Sequence, residues 1–438
     1  MLRRILSRLK RVARAPFVPW TSLLSDLVNS GPTLAVTARS IGTAAWQSIH
    51  RLLKKLSRDP QPLTVGVDIT PFYEPLTGVG WYLFHLLEEL ARDPSLRIVP
   101  FGDPSLTDHG PSLHAALPAG LKPVVFDLRG RRLSRFSRPI VLAAFAVRAR
   151  LEGCALFFGA NYFLPRSLGA IAGRRVVTVH DLTFRRFPEL MQAETLANLQ
   201  LQMERELMRS DAVICVSEAT RRDLLTYFSI DDRKAITIHS GLAAMNEDGP
   251  ATSLPLPSRY VLFVSTIEPR KNLETLVEAF EELKRRGEYE GSLVIVGKVG
   301  WKSDTTMRRI SDSPWSRFII HLDYLSRAQL ASVYRRAEVF VLPSHHEGFG
   351  FTLLEAMAMG VATIAARSSS LPEIGGDAAL YFAPARADQL AAQIRRLTSD
   401  LALRKKLIEA GLAQAAKFQW SRTAQATAAV FRRVAGDA

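Results

Sequence analysis

From Leu63 onward, short runs of apolar and largely β-branched residues alternate with longer stretches whose apolar positions recur every three or four residues. The runs TVGVDI (64–69), ALFFGAN, VVTVHDL, AVICVS and AITIHSG predict buried strands, and WYLFHLLEELARD after the first of them predicts a helix. Strands interleaved with helices are what a parallel sheet needs, because parallel strands can be joined only through a long crossover. The series is interrupted where Pro250, Pro255 and Pro257 fall in a stretch without periodicity, which reads as a linker over 246–258. It resumes at Tyr260 with YVLFVS, SLVIVGK, FIIHLD, VFVLPS, ATIAA and ALYF, separated by helical patterns such as LETLVEAFEELKRRG.

This pattern predicts an α/β fold of two Rossmann-like, doubly wound domains facing a central cleft, spanning 63–245 and 259–438, with the final helix expected to cross back to the first domain. Sheets of this kind bind ligands outside the carboxyl ends of their strands. The loops following the strands are therefore where chemistry is sought.

Composition changes the picture mainly at the start of the chain. The net charge is +15, and residues 1–60 hold eleven Lys and Arg against Asp26 and Asp59, so most of the excess lies there. Leu2, Ile5, Leu6, Leu9 and Val12 repeat at helical spacing, and Arg3, Arg4, Arg8, Lys10, Arg11 and Arg14 fill the rest of that helix. The expectation is a basic amphipathic extension over 1–62 that meets an anionic membrane surface. A transit peptide is the other reading of that pattern. Elsewhere the longest apolar run, 140–147, is far short of the ~20 residues of a spanning helix. Nucleic acid would also suit a basic chain, but no aromatic residues interleave with the basic ones in the way single-strand binders use, and no nucleic-acid partner is expected. Cys154 and Cys215 sit in apolar runs and read as core thiols of a reducing compartment.

Chemistry concentrates in SHHEGFGFTLLEAMAMGVA (344–362). The strand VFVLPS ends at Ser344, which puts Glu347 in the following loop and Glu355 one turn inside the next helix. Gly348 and Gly350, flanking Phe349, let a ligand approach the backbone, and the helix start offers unpaired N–H groups to a phosphate. Each glutamate can accept hydrogen bonds from vicinal hydroxyls of a ribose or a hexose. In STIEPRKNLETLVEAF, Arg270 and Lys271 lie just before a helix, where fixed cations stabilise a departing diphosphate. TPFYEPLTGVGWY puts Gly78 and Gly80 in the first βα loop; VVTVHDLTFRRFPEL ends a strand at His180; ICVSEATRRDLL carries a Ser217 helix cap, with Arg221 and Arg222 as candidate acceptor contacts; Asp68 and Thr70 are further cleft candidates.

Taken together these motifs resemble the retaining, nucleotide-sugar-dependent GT-B glycosyltransferases of family 4, over roughly residue 63 to the C-terminus, and most closely the mannosyl- and rhamnosyltransferase-like members. The resemblance implies that Glu355 anchors the donor ribose, Glu347 the donor hexose, Arg270 and Lys271 the diphosphate, and His180 the sugar from the opposite wall. Gly78 and Gly80 would lie near the donor phosphates, with Gly348, Phe349 and Gly350 completing the donor site. Gly360-Val361-Ala362 lacks the proline often found after that helix, a departure that bears on the turn there.

The implied reaction transfers a hexose, GDP-mannose being the first donor and UDP- or dTDP-sugars the alternatives. The acceptor would be a polyprenyl-diphosphate-linked glycan in bacterial surface-polysaccharide synthesis, handled by a cytoplasmic protein peripheral on the inner face of the cell membrane. No cofactor is expected, and with no Asp-x-Asp in the chain no bridging metal. Double displacement would require a carboxylate nucleophile that the motifs do not identify, so front-face substitution is expected. Competing readings are an epimerase or a pyridoxal-dependent phosphorylase of the same fold, the latter lacking an identifiable cofactor lysine, and a non-catalytic membrane-bound assembly factor.

Overall fold

The computed structural model describes residues 62–73, 76, 78–102, 117–118, 120–125, 147–164, 173–245 and 254–436. The amphipathic pattern near the N-terminus and residues 246–253 of the linker lie outside the described residues. Both sheets belong to one compact unit, 62–438.

The first sheet contains β1 (Leu63–Asp68), β2 (Leu96–Gly102), β3 (Val124–Val125), β4 (Leu156–Gly159), β5 (Arg174–Val179), β6 (Ala212–Cys215) and β7 (Ala235–Thr237), all parallel and in the order β3-β2-β1-β4-β5-β6-β7. The second contains β8 (Tyr260–Val264), β9 (Ser292–Val296), β10 (Ile319–Leu322), β11 (Val339–Leu342), β12 (Thr363–Ala366) and β13 (Ala379–Phe382), also parallel, in the order β10-β9-β8-β11-β12-β13. In each sheet the order reverses beside the first strand, between β1 and β4 and between β8 and β11. These reversals are the crevices where doubly wound sheets take ligands.

The strands are apolar along their length because both faces are covered. In the first sheet alternate residues divide between two cores: Val65, Val67, Leu156, Phe158, Val176 and Ile214 on one side, and Phe101, Phe157, Val177, Val179, Val213 and Cys215 on the other. The latter face is covered by α2 (Ala193–Arg209) and α3 (Glu218–Tyr227), through Met203, Leu207 and Leu224. The former takes α1 (Gly78–Leu90), which buries Tyr82, Leu83, Leu86, Leu87 and Leu90 on one stripe and turns Trp81 and Glu88 away from it.

In the second domain, α4 (Leu273–Arg285) follows β8, α5 (Asp304–Ser311) follows β9, α6 (Arg327–Arg336) follows β10 and α7 (Phe351–Ala358) follows β11. After β12 come α8 (Leu371–Gly375), α9 (Ala387–Ser399) and α10 (Leu401–Ala415). The helix α11 (Trp420–Ala435) then leaves this domain and packs on α1 and on β4–β6 of the first. Phe431 lies 5.2 Å from Phe158 between ring centroids, and the Arg432 guanidinium is 2.7 Å from Asp93. No described helix is long and apolar enough to cross a membrane.

Two local readings need correction. The helix α1 starts at Gly78, so Gly78 and Gly80 form its first turn rather than the loop before it; a Cβ on Gly80 would come 2.7 Å from Leu76 Cδ2, which explains the second glycine. The strand LRIVPFG was absent from the predicted set and is β2, paired with β1 and β3.

Candidate functional site

The carboxyl ends of β8 and β11 bring Arg270 and Lys271 onto Glu347. The chain after β8 makes a single tight turn, Pro269–Lys271, and Asn272 follows in the left-handed region with φ 55°. That strain is held by its side chain, whose amide donates to the carbonyls of Pro343 (2.9 Å) and Pro384 (2.8 Å). The two cations are thereby fixed against the loop after β11. Lys271 Nζ lies 2.6 Å from Glu347 Oε1, Arg270 Nη1 lies 3.0 Å from Glu347 Oε2, and the Ser344 hydroxyl donates to Oε1 at 2.7 Å. Arg270 also donates to Glu268, at 2.7 Å, and to the carbonyl of His346.

Burial pushes the Glu347 carboxyl up, but Lys271 and Arg270 outweigh it and hold the pKa at about 2. Burial works against the Arg270 charge too, and Glu347, Glu268 and Asp181 overcome it and keep the guanidinium ionised. Asp181 belongs to the first domain; burial raises its carboxyl, while Arg270 and His346 more than compensate and hold it below the usual range. Arg270 of one domain thus faces carboxylates from both.

The first domain meets this loop at backbone contact. A Cβ on Gly348 would lie 1.7 Å from the carbonyl oxygen of His180. The expected use of this glycine was to admit a ligand, but the space its side chain would fill is taken by the opposite domain. The Gly348 carbonyl accepts from the hydroxyls of Ser217 (2.6 Å) and Thr220 (3.2 Å). Ser217 is the cap of α3, accepting from Thr220 N–H as its sequence context predicts, so one hydroxyl joins helix start and domain contact. His346, 1 % exposed, donates from Nε2 to Asp223 (3.0 Å), and its Nδ1 lies 3.2 Å from the Thr183 hydroxyl, both in the first domain. Glu373, at the start of α8, accepts from the N–H groups of Glu218 (2.8 Å) and Ala219 (3.0 Å) at the start of α3, and from His239 at 2.6 Å. On another side, Trp301 Nε1 donates to the Leu190 carbonyl and Lys302 to that of Glu189.

His180 ends β5 as expected, and burial lowers its pKa, which leaves a neutral ring at pH 7. Its Nε2 donates to the Ala160 carbonyl at 2.7 Å, so Nδ1 carries the lone pair available to a ligand. Tyr82 and Tyr162 stand edge-on to the ring, and Tyr162 has φ 54°, a conformation rare for a bulky residue. Gly350 caps α7 with φ 109°, and Phe349 is buried beside Phe351 and Phe418. Glu355 lies one turn into α7, where its Oε2 accepts from the Tyr334 hydroxyl at 3.1 Å and burial raises its pKa. Arg221 is tied to Glu218, Asp232 and the Ala235 carbonyl, so it braces its own domain. Asp68 accepts from the N–H and hydroxyl of Thr70 and shapes the turn after β1. Asp181, Thr183, Asp223, Asn272, His346 and Glu373 were not among the sequence candidates, although Asp181, Asp223, Asn272 and His346 each stood beside one.

A cavity of about 1080 Å³ lies between α1 and the start of α6 and is also lined by residues 242–244 and 418–421. None of Arg270, Lys271, Glu347 and His180 lines it. One lining residue, Arg327, is close enough to Glu355 to lower its pKa against the effect of burial.

The fold and these motifs have matches. The family model for glycosyltransferase family 4 matches residues 76–243, and that for glycosyl transferases group 1 matches residues 246–414. The chain is 28% identical over 370 residues to O-antigen chain mannosyltransferase B of Escherichia coli, covering 80% of this chain and 94% of that protein. It is 30% identical over 240 residues to the serotype-specific mannosyltransferase WbdA of Escherichia coli, covering 52% of this chain but only 29% of that longer protein. Sucrose-phosphate synthase from Thermosynechococcus elongatus superposes with a TM-score of 0.65 at 21% identity, covering 86% of this chain and all of that one. With both sheets matched in sequence and the two-domain architecture matched in structure, the chain belongs to glycosyltransferase family 4 and has the GT-B fold.

Proposed function

We propose that this glycosyltransferase moves mannose from GDP-mannose to a hydroxyl of a polyprenyl-diphosphate-linked glycan, retaining the anomeric configuration and using no metal, at the inner face of the cell membrane. The observation that carries the reading is the pair Arg270 and Lys271 sharing the carboxylate of Glu347 at the switch point of the second sheet. A diphosphate arriving there replaces Glu347 as counter-ion. The freed carboxylate then accepts hydrogen bonds from the donor hexose. Likeness over most of its length to an O-antigen mannosyltransferase supports mannose and a surface-polysaccharide acceptor.

In the reaction the acceptor oxygen forms a bond to the anomeric carbon on the face from which the diphosphate leaves. The carbon–oxygen bond to the β-phosphate breaks, and the acceptor's proton passes to a departing phosphate oxygen. Arg270 and Lys271 stabilise the charge that grows on the leaving group, in a site where fixed cations are worth more than in water. Glu355 takes the ribose hydroxyls, and His180 offers its Nδ1 lone pair to a sugar hydroxyl from the opposite wall. Asp181 is stabilised as a carboxylate by Arg270, which makes it a weak nucleophile and favours the front-face route over double displacement.

The test is slow hydrolysis of GDP-, UDP- and dTDP-sugars by the purified protein, with and without EDTA. GDP-mannose should be consumed fastest and EDTA should change nothing. Preference for a UDP- or dTDP-sugar would refute the donor, and loss of activity in EDTA restored by Mg²⁺ or Mn²⁺ would refute the metal-free reading.

A further inference from the structure

None of the side chains assigned to the diphosphate or the hexose lines the cavity beside α1. The helix starts at Gly78 and turns one face toward this space: Trp81, His85 and Glu88 follow at intervals of four and three residues. Trp81 is 36% exposed, and the Arg327 guanidinium sits 5.2 Å from its ring centroid. His85 lies between Trp81 at 5.8 Å and Trp420 at 5.5 Å, stacked on one face of the Trp81 indole, so the stack fixes that indole and leaves its other face toward Arg327. His85 Nδ1 is 3.0 Å from Glu88, whose carboxylate is one-third exposed and has acceptor sites to spare.

Charge decides what fits. The charged side chains lining the cavity are the carboxylates of Glu88 and Glu89 and the single guanidinium of Arg327, while burial lowers the His85 pKa and keeps its ring neutral at pH 7. A diphosphate is repelled. A neutral ligand with many hydroxyls is not: its hydroxyls donate to the carboxylates, and its C–H faces rest on the indole. Pyranose rings have both. The volume matches the upper end of pockets that enclose a drug-sized ligand, which is room for more than one sugar.

We propose that this groove is a second carbohydrate subsite, holding neutral hexose units of the acceptor glycan remote from the reacting hydroxyl, with Trp81 as the stacking platform and Glu88 as the hydroxyl acceptor. The inference rests on the reading of the acceptor as a glycan. It adds where the chain of sugars lies: along α1, starting from the glycines at the donor end of that helix.

The experiment uses the full chain and an α-linked mannose tetrasaccharide as probe, titrated by calorimetry into wild type, Trp81→Ala, Trp81→Phe and Glu88→Gln, with GDP titrated in parallel. Trp81→Ala should weaken tetrasaccharide binding at least about tenfold, the factor that ~1.4 kcal/mol represents. Trp81→Phe should keep most of the affinity because a flat face remains, and Glu88→Gln should lose several-fold. GDP affinity and GDP-mannose hydrolysis should be unchanged in all three. Wild-type affinity for the tetrasaccharide in both Trp81→Ala and Glu88→Gln, or no tetrasaccharide binding by wild type, overturns the subsite. Failure of wild type to bind GDP or hydrolyse GDP-mannose would instead overturn the proposed donor, and leaves the tetrasaccharide comparison readable by itself.

Discussion

Glu347→Gln isolates a charge while keeping the shape of the side chain. In the folded protein Lys271 and Arg270 bring the Glu347 carboxyl from an ordinary 4.5 to about 2. That difference corresponds to about 3 kcal/mol of stability. Because the folded pKa lies below the unfolded one, the contribution is complete above about pH 4.5 and is lost as pH falls toward 2. Glutamine removes it at every pH and leaves Lys271, 13% exposed, without the carboxylate that balances it. The variant should therefore unfold more readily than wild type at pH 7 by about that amount, and the gap should close as wild type is titrated toward pH 2. A structural role alone predicts nothing more. The charge argument adds that the unbalanced cations should attract a diphosphate, so GDP should bind Glu347→Gln more tightly and raise its unfolding midpoint more than it raises that of wild type. Transfer should nevertheless slow, since the amide cannot replace the carboxylate on the sugar hydroxyls. Urea unfolding at pH 7 and pH 3 with and without GDP, together with calorimetry, tests each step. Equal stability of the two proteins at pH 7, or weaker GDP binding by the variant, would refute the reasoning.

Arg270→Ala and Lys271→Ala should each cut transfer by about 10²- to 10³-fold through loss of leaving-group stabilisation; near-normal turnover in both well-folded variants would remove the diphosphate assignment. Glu355→Ala should weaken GDP by roughly 10- to 100-fold, the range for a hydrogen bond to a charged group, with calorimetry as the check and an unchanged Kd as the contrary result. Gly348→Ala places a methyl where the His180 carbonyl lies, so the domains must part; a displacement of ~1 Å costs on the order of 10² in rate, and a normal rate would mean the contact is irrelevant to turnover. Full-length protein should float with anionic vesicles at low salt, less so at high salt, and a chain starting near Leu63 should not; equal flotation of the two would acquit the N-terminus.

What the sequence makes legible is whatever is local. Two series of apolar runs predict two parallel sheets, and the helix after Gly350, the cap at Ser217 and the strand end at His180 all stand where their neighbours in sequence put them. The strand β2 escaped because Arg97 and Pro100 interrupt its apolar run; Pro100 is tolerated because it pairs with β1 alone, β3 joining only at Phe101 and Gly102. The partnerships across the cleft are a different kind of information. The Ser217 hydroxyl reaches Gly348, 131 residues away, and Glu373 reaches the start of α3 from 155 residues away. Nothing in SEATRRDLL or LPEIGG encodes its distant partner. Gly348 is the sharpest instance: its neighbours suggest a ligand loop, while its actual need for a missing side chain comes from the His180 backbone.

The last helix has a consequence for how the protein is made. Phe431, Ala428 and Ala424 of α11 complete the face of the first sheet that also packs α1, yet β7 leaves the ribosome almost two hundred residues before they do. At a synthesis rate of ~5–20 residues per second that interval is about 10–40 s. During it the α11 side chains that pack on that side of Phe158, Val176 and Ile214 are missing. The first domain therefore waits, partly uncovered, for the second to be translated, and a nascent chain stalled after β13 is the form on which chaperones should be found.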